Sequence, residues 1–169
     1  MELLTQIELE RKTPDWLKSE RIPQCIELER TALLVCDMQN DFLRTDGAMP
    51  IWGGPAIIAN VNGLISSFRS TKRLIVFTQH HCVRSTSDRQ LLHPGSPGAE
   101  IHASIDRRKE DLHVTKFTYS ALFDTPLPTL LRINQIGKLV VTGVASNICC
   151  QTTAHHATFF GFDVIFPVD

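Results

Sequence analysis

The chain has 169 residues and a formal net charge of −1 at pH 7, and 43% of its residues are hydrophobic. This length fits one domain with a sizeable core, and no apolar run reaches the ~18 residues that cross a bilayer. A charge so near zero provides no basic surface for nucleic acid or an anionic membrane, which excludes proteins that act through such a surface.

The sequence pattern predicts an N-terminal arm over residues 1–30 and one folded domain over residues 31–169. The arm is charged and weakly patterned, and Pro14 and Pro23 would interrupt any long helix in it. We expect the arm to contain one short helix that packs on the domain or on a partner subunit.

Apolar runs that alternate with helical patterns predict an α/β fold with a parallel sheet. Residues 31–36 form an apolar run that is too short for a helix and lacks alternation, which indicates a strand buried on both faces. Residues 55–70 have helical spacing, and residues 74–78 predict a second buried strand. The polar stretch from 79 to 105 predicts a long loop, and such loops are often functional.

The second half of the chain continues the same alternation. It predicts strands at 113–115, 139–142 and 163–168, and helices at 125–136 and 147–160. The sequence ends directly after a strand, which leaves one side of the sheet without a covering helix. We therefore expect a C-terminal segment to be truncated or disordered.

Cysteine and histidine usage favours a reduced protein without a bound metal. The five cysteines are odd in number and lack C-x-x-C spacing, and the first residues lack a secretory pattern, so we expect a cytoplasmic protein. The histidines include the adjacent pairs His80-His81 and His155-His156, whose side chains point in different directions. Because no metal-binding motif is present, we expect no metal and no cofactor.

Polar or reactive residues follow three of the predicted strands. Asp37 follows the first strand, Lys116 follows the third and Cys149 comes shortly after the fourth. Each has an ordinary alternative explanation, namely a turn cap, a solvent-facing lysine and a buried thiol. Because ligands of open α/β sheets bind beyond the carboxyl ends of the strands, their joint placement predicts one site.

These three side chains suit acyl transfer. A thiolate at a helix N-terminus is a nucleophile, and a carboxylate can take the thiol proton and return it to a leaving amine. A cation can hold the carboxylate and lower the pKa of the thiol. The backbone N–H groups of Ala145 and Cys149 are the candidate oxyanion hole, and the simplest such reaction is hydrolysis of an amide-type C–N bond.

Three segments resemble the signature blocks of the isochorismatase-like cysteine hydrolases: Asp37–Phe42, Lys116–Leu127 and Val141–Cys149. The blocks stand in the family's order within residues 31–169. The resemblance implies a Rossmann-like three-layer sandwich, whose mainly parallel sheet has the order 3-2-1-4-5 with room for a sixth strand. It also implies that the three residues at the strand ends form a catalytic triad.

The same resemblance implies a non-proline cis peptide bond between Val144 and Ala145, which turns the N–H of Ala145 into the oxyanion hole. It further implies a small-molecule substrate and a homo-oligomer, either a dimer or a tetramer. Ser146 stands where the family usually has threonine, which keeps the hydroxyl group. Cys150 stands where valine is common, and we interpret it as a packing residue.

Comparison with the branches of the family narrows the expected substrate. Cys149 argues against isochorismate hydrolysis, because that branch typically lacks a cysteine at this position. Residues 46–52 contain no histidine, whereas nicotinamidases bind a metal through histidines after the first block. The pattern is most similar to ureidoacrylate amidohydrolases and N-carbamoyl amidases, so the leading hypothesis is a small linear amide or ureido substrate. Nicotinamidase or isochorismatase activity and a catalytically idle binding module are the alternatives.

Substrate contacts are expected from five side chains: Gln79, His80, Tyr119, Phe42 and Trp52. The first two end the second strand and offer hydrogen-bond donors to a polar substrate. The tyrosine hydroxyl either binds a substrate carbonyl or lies at the protein surface while its ring packs in the core. The last two are pocket walls or core residues. Arg84 either pairs with a substrate carboxylate or points into solvent.

Overall fold

The computed structural model describes residues 28–82 and 91–167. The predicted N-terminal arm and its short helix therefore lie outside the described residues, apart from a 3-10 turn at Leu28–Arg30. Arg84 also lies outside them, as do the last residues of the strand predicted at 163–168.

One five-stranded parallel sheet forms the centre of the molecule, in the order β3-β2-β1-β4-β5. Its strands are β1 Thr31–Cys36, β2 Ile75–His80, β3 Leu112–Lys116, β4 Lys138–Gly143 and β5 Asp163–Ile165. Every residue of β1 and β2 is buried, as their unbroken apolar runs predict. The predicted α/β fold and strand order are confirmed, and no sixth strand is found within residues 28–82 and 91–167.

Helices cover both faces of the sheet. They are α1 Asn40–Leu43, α2 Ile58–Ser70, α3 Leu127–Ile133 and α4 Gln151–Phe159. Alternate residues of β1 point to opposite faces, so Leu33 packs in one core with Ile65 of α2, and Leu34 packs in the other with Leu131 of α3. Two cores on either side of one sheet make the three layers of the fold. None of the helices within the described residues is long and apolar enough to cross a membrane.

The element boundaries differ from the predicted ones by up to about a turn. The segment predicted as a helix from 55 begins as a 3-10 turn, Gly54–Ile57, and becomes α-helical only at Ile58. The helix predicted from 147 begins as a π-helical turn, Ser146–Cys150, that continues into α4. The short helix α1 was not predicted, because four residues are too few to show a helical pattern.

The carboxylate of Asp41 ties the start of α1 to the long loop between β2 and β3. It accepts hydrogen bonds from the backbone N–H of Ala48 at 3.1 Å and of Leu92 at 2.7 Å. Gly98 packs so closely on this carboxylate that a Cβ there would collide with it. The described part of the loop is therefore anchored beside the carboxyl ends of the strands.

Candidate active site

The structure brings Asp37, Lys116 and Cys149 together at the carboxyl edge of the sheet. Asp37 follows β1, Lys116 ends β3, and Cys149 lies in the π-helical turn that follows β4. The Lys116 Nζ lies 2.8 Å from Asp37 Oδ2 and 3.5 Å from Cys149 Sγ. All three side chains are buried, so their charges act on one another with little screening by water.

Asp37 is held in place by its backbone and by Thr78. Its φ of 49° lies in the left-handed region, which aspartate and asparagine tolerate better than most residues. The Thr78 hydroxyl donates to Asp37 Oδ1 at 2.6 Å. Among the described residues, Oδ2 has the ionic contact with Lys116 but accepts no hydrogen bond of good geometry. This oxygen is therefore available to take a proton.

Lys116 is a buried ammonium with several oxygen partners. Besides the carboxylate, it donates to the backbone carbonyls of Thr118 at 2.9 Å and Tyr119 at 3.1 Å. Burial by itself lowers the pKa of Lys116, but the interactions with Asp37 and, to a smaller extent, with Cys149 outweigh burial, so the pKa is raised. Lys116 is therefore charged at neutral pH.

The Cys149 thiol carries its proton at neutral pH. Burial and the charge of Asp37 raise the pKa of Cys149 to about 12, although the Lys116 ammonium acts in the opposite direction. Because the thiolate is the nucleophilic form, the thiol needs a base within reach when it reacts. Asp37, whose charge acts on this thiol, is the candidate base.

His80 lies on the other side of the thiol. Its Nδ1 is 3.9 Å from Cys149 Sγ, and its ring meets the edge of Tyr119 with the centroids 6.1 Å apart. Burial, reinforced by the charge of Lys116, lowers the pKa of His80 to about 4. The imidazole is therefore neutral at physiological pH and adds a polar but uncharged group to the site.

The connection from β4 to Cys149 makes a sharp turn beside the end of β1. Gly143 has a φ of 119°, and a Cβ there would collide with the backbone of Cys36. The peptide bond between Val144 and Ala145 is cis, and the Val144 N–H donates to the Cys36 carbonyl at 3.0 Å. The turn thus places Ala145 beyond the end of β4, four residues before Cys149.

The other four residues predicted to contact the substrate differ in burial and in distance from the site. The Gln79 amide is buried and donates to the Ala99 carbonyl at 2.7 Å, so it holds the β2–β3 loop. Tyr119 is half-exposed beside His80. Phe42 is buried in the core on the α2 side, and Trp52 is 96% exposed. Of the five candidates, His80 and Tyr119 have the positions best suited to meet a substrate.

Sequence reasoning missed two residues that build the site. Thr78 binds the carboxylate of Asp37, and the Gln39 side chain binds the backbone of His80 in both directions at 2.9 Å. Thr78 lies within β2 and Gln39 lies three residues after β1; both are buried polar residues, and such residues need partners. That placement was the available signal, but the sequence alone does not show which partner each residue meets.

Comparison with known proteins gives consistent matches. The isochorismatase domain model matches residues 31–169. A protein of Arabidopsis thaliana described as a probable inactive nicotinamidase is 29% identical, over 75% of this chain and 72% of that protein. Ureidoacrylate amidohydrolase RutB of Variovorax paradoxus is 26% identical, over 87% of this chain and 71% of that protein. The crystal structure of pyrazinamidase of Pyrococcus horikoshii in complex with zinc has a TM-score of 0.72 and 32% identity, over 81% of this chain and 83% of that one.

The zinc in that pyrazinamidase raises the question of whether this site fits a metal. Ligand atoms of Asp37, His80 and Cys149 all lie within 4.8 Å of one another. The Lys116 ammonium, however, contacts two of these three residues, at 2.8 and 3.5 Å. A metal cation bound by the same atoms would be repelled by it at close range. The residues therefore do not fit a resident metal, and no catalytic step is assigned to one.

Proposed function

This chain belongs to the isochorismatase family, and on that basis we propose that it is a cysteine-dependent hydrolase that cleaves the C–N bond of a small linear amide or ureido compound. The observation that carries the proposal is the buried contact of the Cys149 thiol with the Lys116–Asp37 ion pair. A nucleophile, a base and a cation in mutual contact are the groups that acyl transfer requires.

The first half of the proposed reaction forms an acyl enzyme. Asp37 Oδ2 takes the thiol proton while Cys149 Sγ attacks the substrate carbonyl carbon, so a C–S bond forms and the carbonyl oxygen becomes an oxyanion. The N–H groups of Ala145 and Cys149 would hold that oxyanion. The intermediate then expels the amine, which leaves with the proton from Asp37, and a thioester remains on Cys149.

The second half releases the acid. A water molecule gives a proton to Asp37 and attacks the thioester carbonyl, and the C–S bond breaks to return the thiol with that proton. Lys116 keeps its charge throughout, which stabilises the carboxylate and the transient thiolate. A ureido substrate would pass through the same steps and release carbamic acid.

Support for an amide or ureido substrate comes from two sources. RutB, which is similar over most of this chain, is named a ureidoacrylate amidohydrolase. The neutral imidazole of His80 borders the thiol, and the half-exposed Tyr119 lies against that imidazole. Both side chains offer hydrogen bonds to an uncharged ureido or amide group.

An idle binding protein is the alternative from a different class. One relative is described as a probable inactive nicotinamidase. The raised pKa of Cys149, about 12, also describes a thiol that does not react without help.

A substrate panel with three enzymes tests the proposal. The panel contains linear amides, ureido acids, nicotinamide, pyrazinamide and isochorismate, assayed with the unsubstituted protein, Cys149→Ala and the control Cys82→Ala, a partly buried cysteine two residues after β2. We expect turnover of a linear amide or ureido acid that Cys149→Ala lowers by at least about 10³-fold, and that the control retains. Turnover retained by Cys149→Ala contradicts the proposed nucleophile, and preferred turnover of nicotinamide, pyrazinamide or isochorismate contradicts the substrate class. No turnover of any compound favours the idle protein.

A further inference from the structure

The helix that presents the nucleophile also contacts the segment that binds Lys116. Cys149 lies in the π-helical turn at the start of α4, and Thr153 and His156 follow at positions four and seven residues along. Residues at this spacing share one face of a helix. The face therefore carries the thiol, a hydroxyl and an imidazole in a row.

The residues whose carbonyls bind the Lys116 ammonium lie before the hydrophobic anchorage of their segment, which begins with the fully buried Ala121. The segment follows β3, and its carbonyls at Thr118 and Tyr119 accept the two hydrogen bonds from Nζ. The side chains of Phe117 and Tyr119 are 59% and 58% exposed, so their burial does not fix this backbone. Polar contacts therefore act together with the burial of Ala121 to hold the two carbonyls at the ammonium.

Thr153 provides one such contact. Its side chain is fully buried, and its hydroxyl oxygen accepts the Ala121 N–H at 3.0 Å. The same hydroxyl donates to the Tyr119 carbonyl at 3.4 Å. One side chain of α4 thus binds the backbone of this segment on both sides of Ser120.

His156 provides a second contact through Ser120. The Ser120 hydroxyl lies 2.8 Å from His156 Nδ1 and accepts the Leu122 N–H at 3.1 Å. The hydroxyl and the imidazole nitrogen share one hydrogen bond, and the tautomer of His156 decides which of them donates. The ring of His156 is itself packed against Phe160, with the centroids 5.1 Å apart. The packed imidazole therefore holds the Ser120 hydroxyl, and with it the backbone of the segment, in place.

We propose that Thr153 and His156 are positioning residues, which hold the segment 118–121 so that its carbonyls fix the Lys116 ammonium against Asp37 and Cys149. The effect of these residues on catalysis rests on the proposed function. Their structural role does not, because it states only that α4 positions both the thiol and the ammonium. Neither residue touches the reacting atoms.

Thr153→Val tests the hydroxyl contacts at nearly constant volume. We expect kcat to fall about 100-fold, as for a catalytic group displaced by about 1 Å, with a smaller change in KM. Thr153→Ser, which keeps the hydroxyl, should restore most of the rate. Thr158→Val is the matched control, because Thr158 is exposed on the same helix and its hydroxyl donates to the His155 carbonyl of that helix.

The pH profile of Cys149 alkylation by iodoacetamide provides a readout that does not depend on turnover. The ammonium lowers the pKa of Cys149, so a displaced ammonium should raise it and slow alkylation at a fixed pH. A rise of one pKa unit slows alkylation about tenfold below that pKa. Mass spectrometry of the peptide that contains Cys149 separates its reaction from that of the other cysteines.

His156 allows a second test at a site that is not fully buried. His156→Ala should slow alkylation of Cys149, whereas His156→Asn, which keeps an acceptor for Ser120, should restore part of the rate. His155→Ala, at the exposed neighbouring position, should leave the rate unchanged.

The alkylation results decide the inference even where no substrate is found. It is overturned if folded Thr153→Val and His156→Ala proteins alkylate with the same pH profile as their controls. If alkylation shifts as expected but no amide is hydrolysed, the positioning role stands and the proposed function fails.

Discussion

The Cys149 thiol lies between two charges of opposite sign, and each moves its pKa in a different direction. Burial and Asp37 raise that pKa, while Lys116 lowers it. The net effect is a raised pKa, so at neutral pH the sulfur is a thiol rather than a thiolate. In the proposed reaction, Asp37 takes this proton as the sulfur attacks the substrate.

Asp37→Asn should separate hydrolysis from thiol reactivity. Loss of the general base should lower the hydrolysis rate by about 10²–10⁴-fold. The carboxylate charge that raises the pKa of Cys149 is also lost, so alkylation of Cys149 by iodoacetamide at neutral pH should become faster. Asparagine keeps an oxygen for the Thr78 hydroxyl and tolerates the positive φ at this position.

Asp46→Asn is the control for this substitution, because Asp46 is exposed and pairs with Arg44 away from the site. It should change neither rate. Alkylation of Asp37→Asn that is slower than that of the unsubstituted protein would show that the Asp37 charge does not hold the thiol proton in place.

At the scale of elements, the turn between β4 and α4 decides where the thiol lies. The turn depends on close backbone packing, since Gly143 pairs with Cys36 at the end of β1 in the sheet register. No side chain fits between the two backbones, because a Cβ on Gly143 would meet the Cys36 carbonyl. A positive φ of 119° adds a second requirement for glycine.

Gly143→Ala should therefore destabilise the fold by at least about 1–3 kcal/mol, the usual cost of forcing a side chain into a disfavoured φ. Gly63→Ala is the matched control, because Gly63 lies in α2 with open space around its Cβ position. That control should stabilise the protein by about 0.5–1 kcal/mol. Urea unfolding measures both free energies, and equal stability of Gly143→Ala and the unsubstituted protein would contradict the packing described for this turn.

At the scale of the whole molecule, the Lys116–Asp37 ion pair connects strands that do not touch. Asp37 follows β1 and Lys116 ends β3, and β2 lies between these strands in the sheet. Because the pKa of Lys116 is raised above 10.5, the stability linked to the protonation of Lys116 is fully present below that pH. This contribution is lost as the pH rises through the higher pKa of the folded state.

Lys116→Met should lower the free energy of unfolding by about 3–5 kcal/mol, because it leaves the buried Asp37 carboxylate without its cation. Adding Asp37→Asn to the same protein should recover part of that loss, since the double variant buries no net charge there. Lys109→Met, at an exposed position, is the control and should change little. Chemical denaturation at neutral pH measures all three, and a Lys116→Met protein as stable as the control would contradict a stabilising role for the pair.

Much of the fold and the centre of the candidate site could be predicted from the sequence. Strands buried on both faces need unbroken apolar runs, so the run at 31–36 predicted β1 with its observed bounds. Asp37, Lys116 and Cys149 could be placed together because parallel strands end at the same edge of a sheet. These inferences depend on local pattern and on general rules of sheet topology.

Only the tertiary structure decided which groups support these three residues. Thr78 on Asp37, and Thr153 and His156 on the segment after β3, are contacts between residues far apart in sequence. Hydroxyl and imidazole groups have many possible partners, so their residue type does not reveal which one they bind. The exposure of Trp52 and the burial of Phe42 were likewise decided by packing. The sequence alone does not show whether an aromatic side chain lines a pocket, packs in a core or lies in solvent.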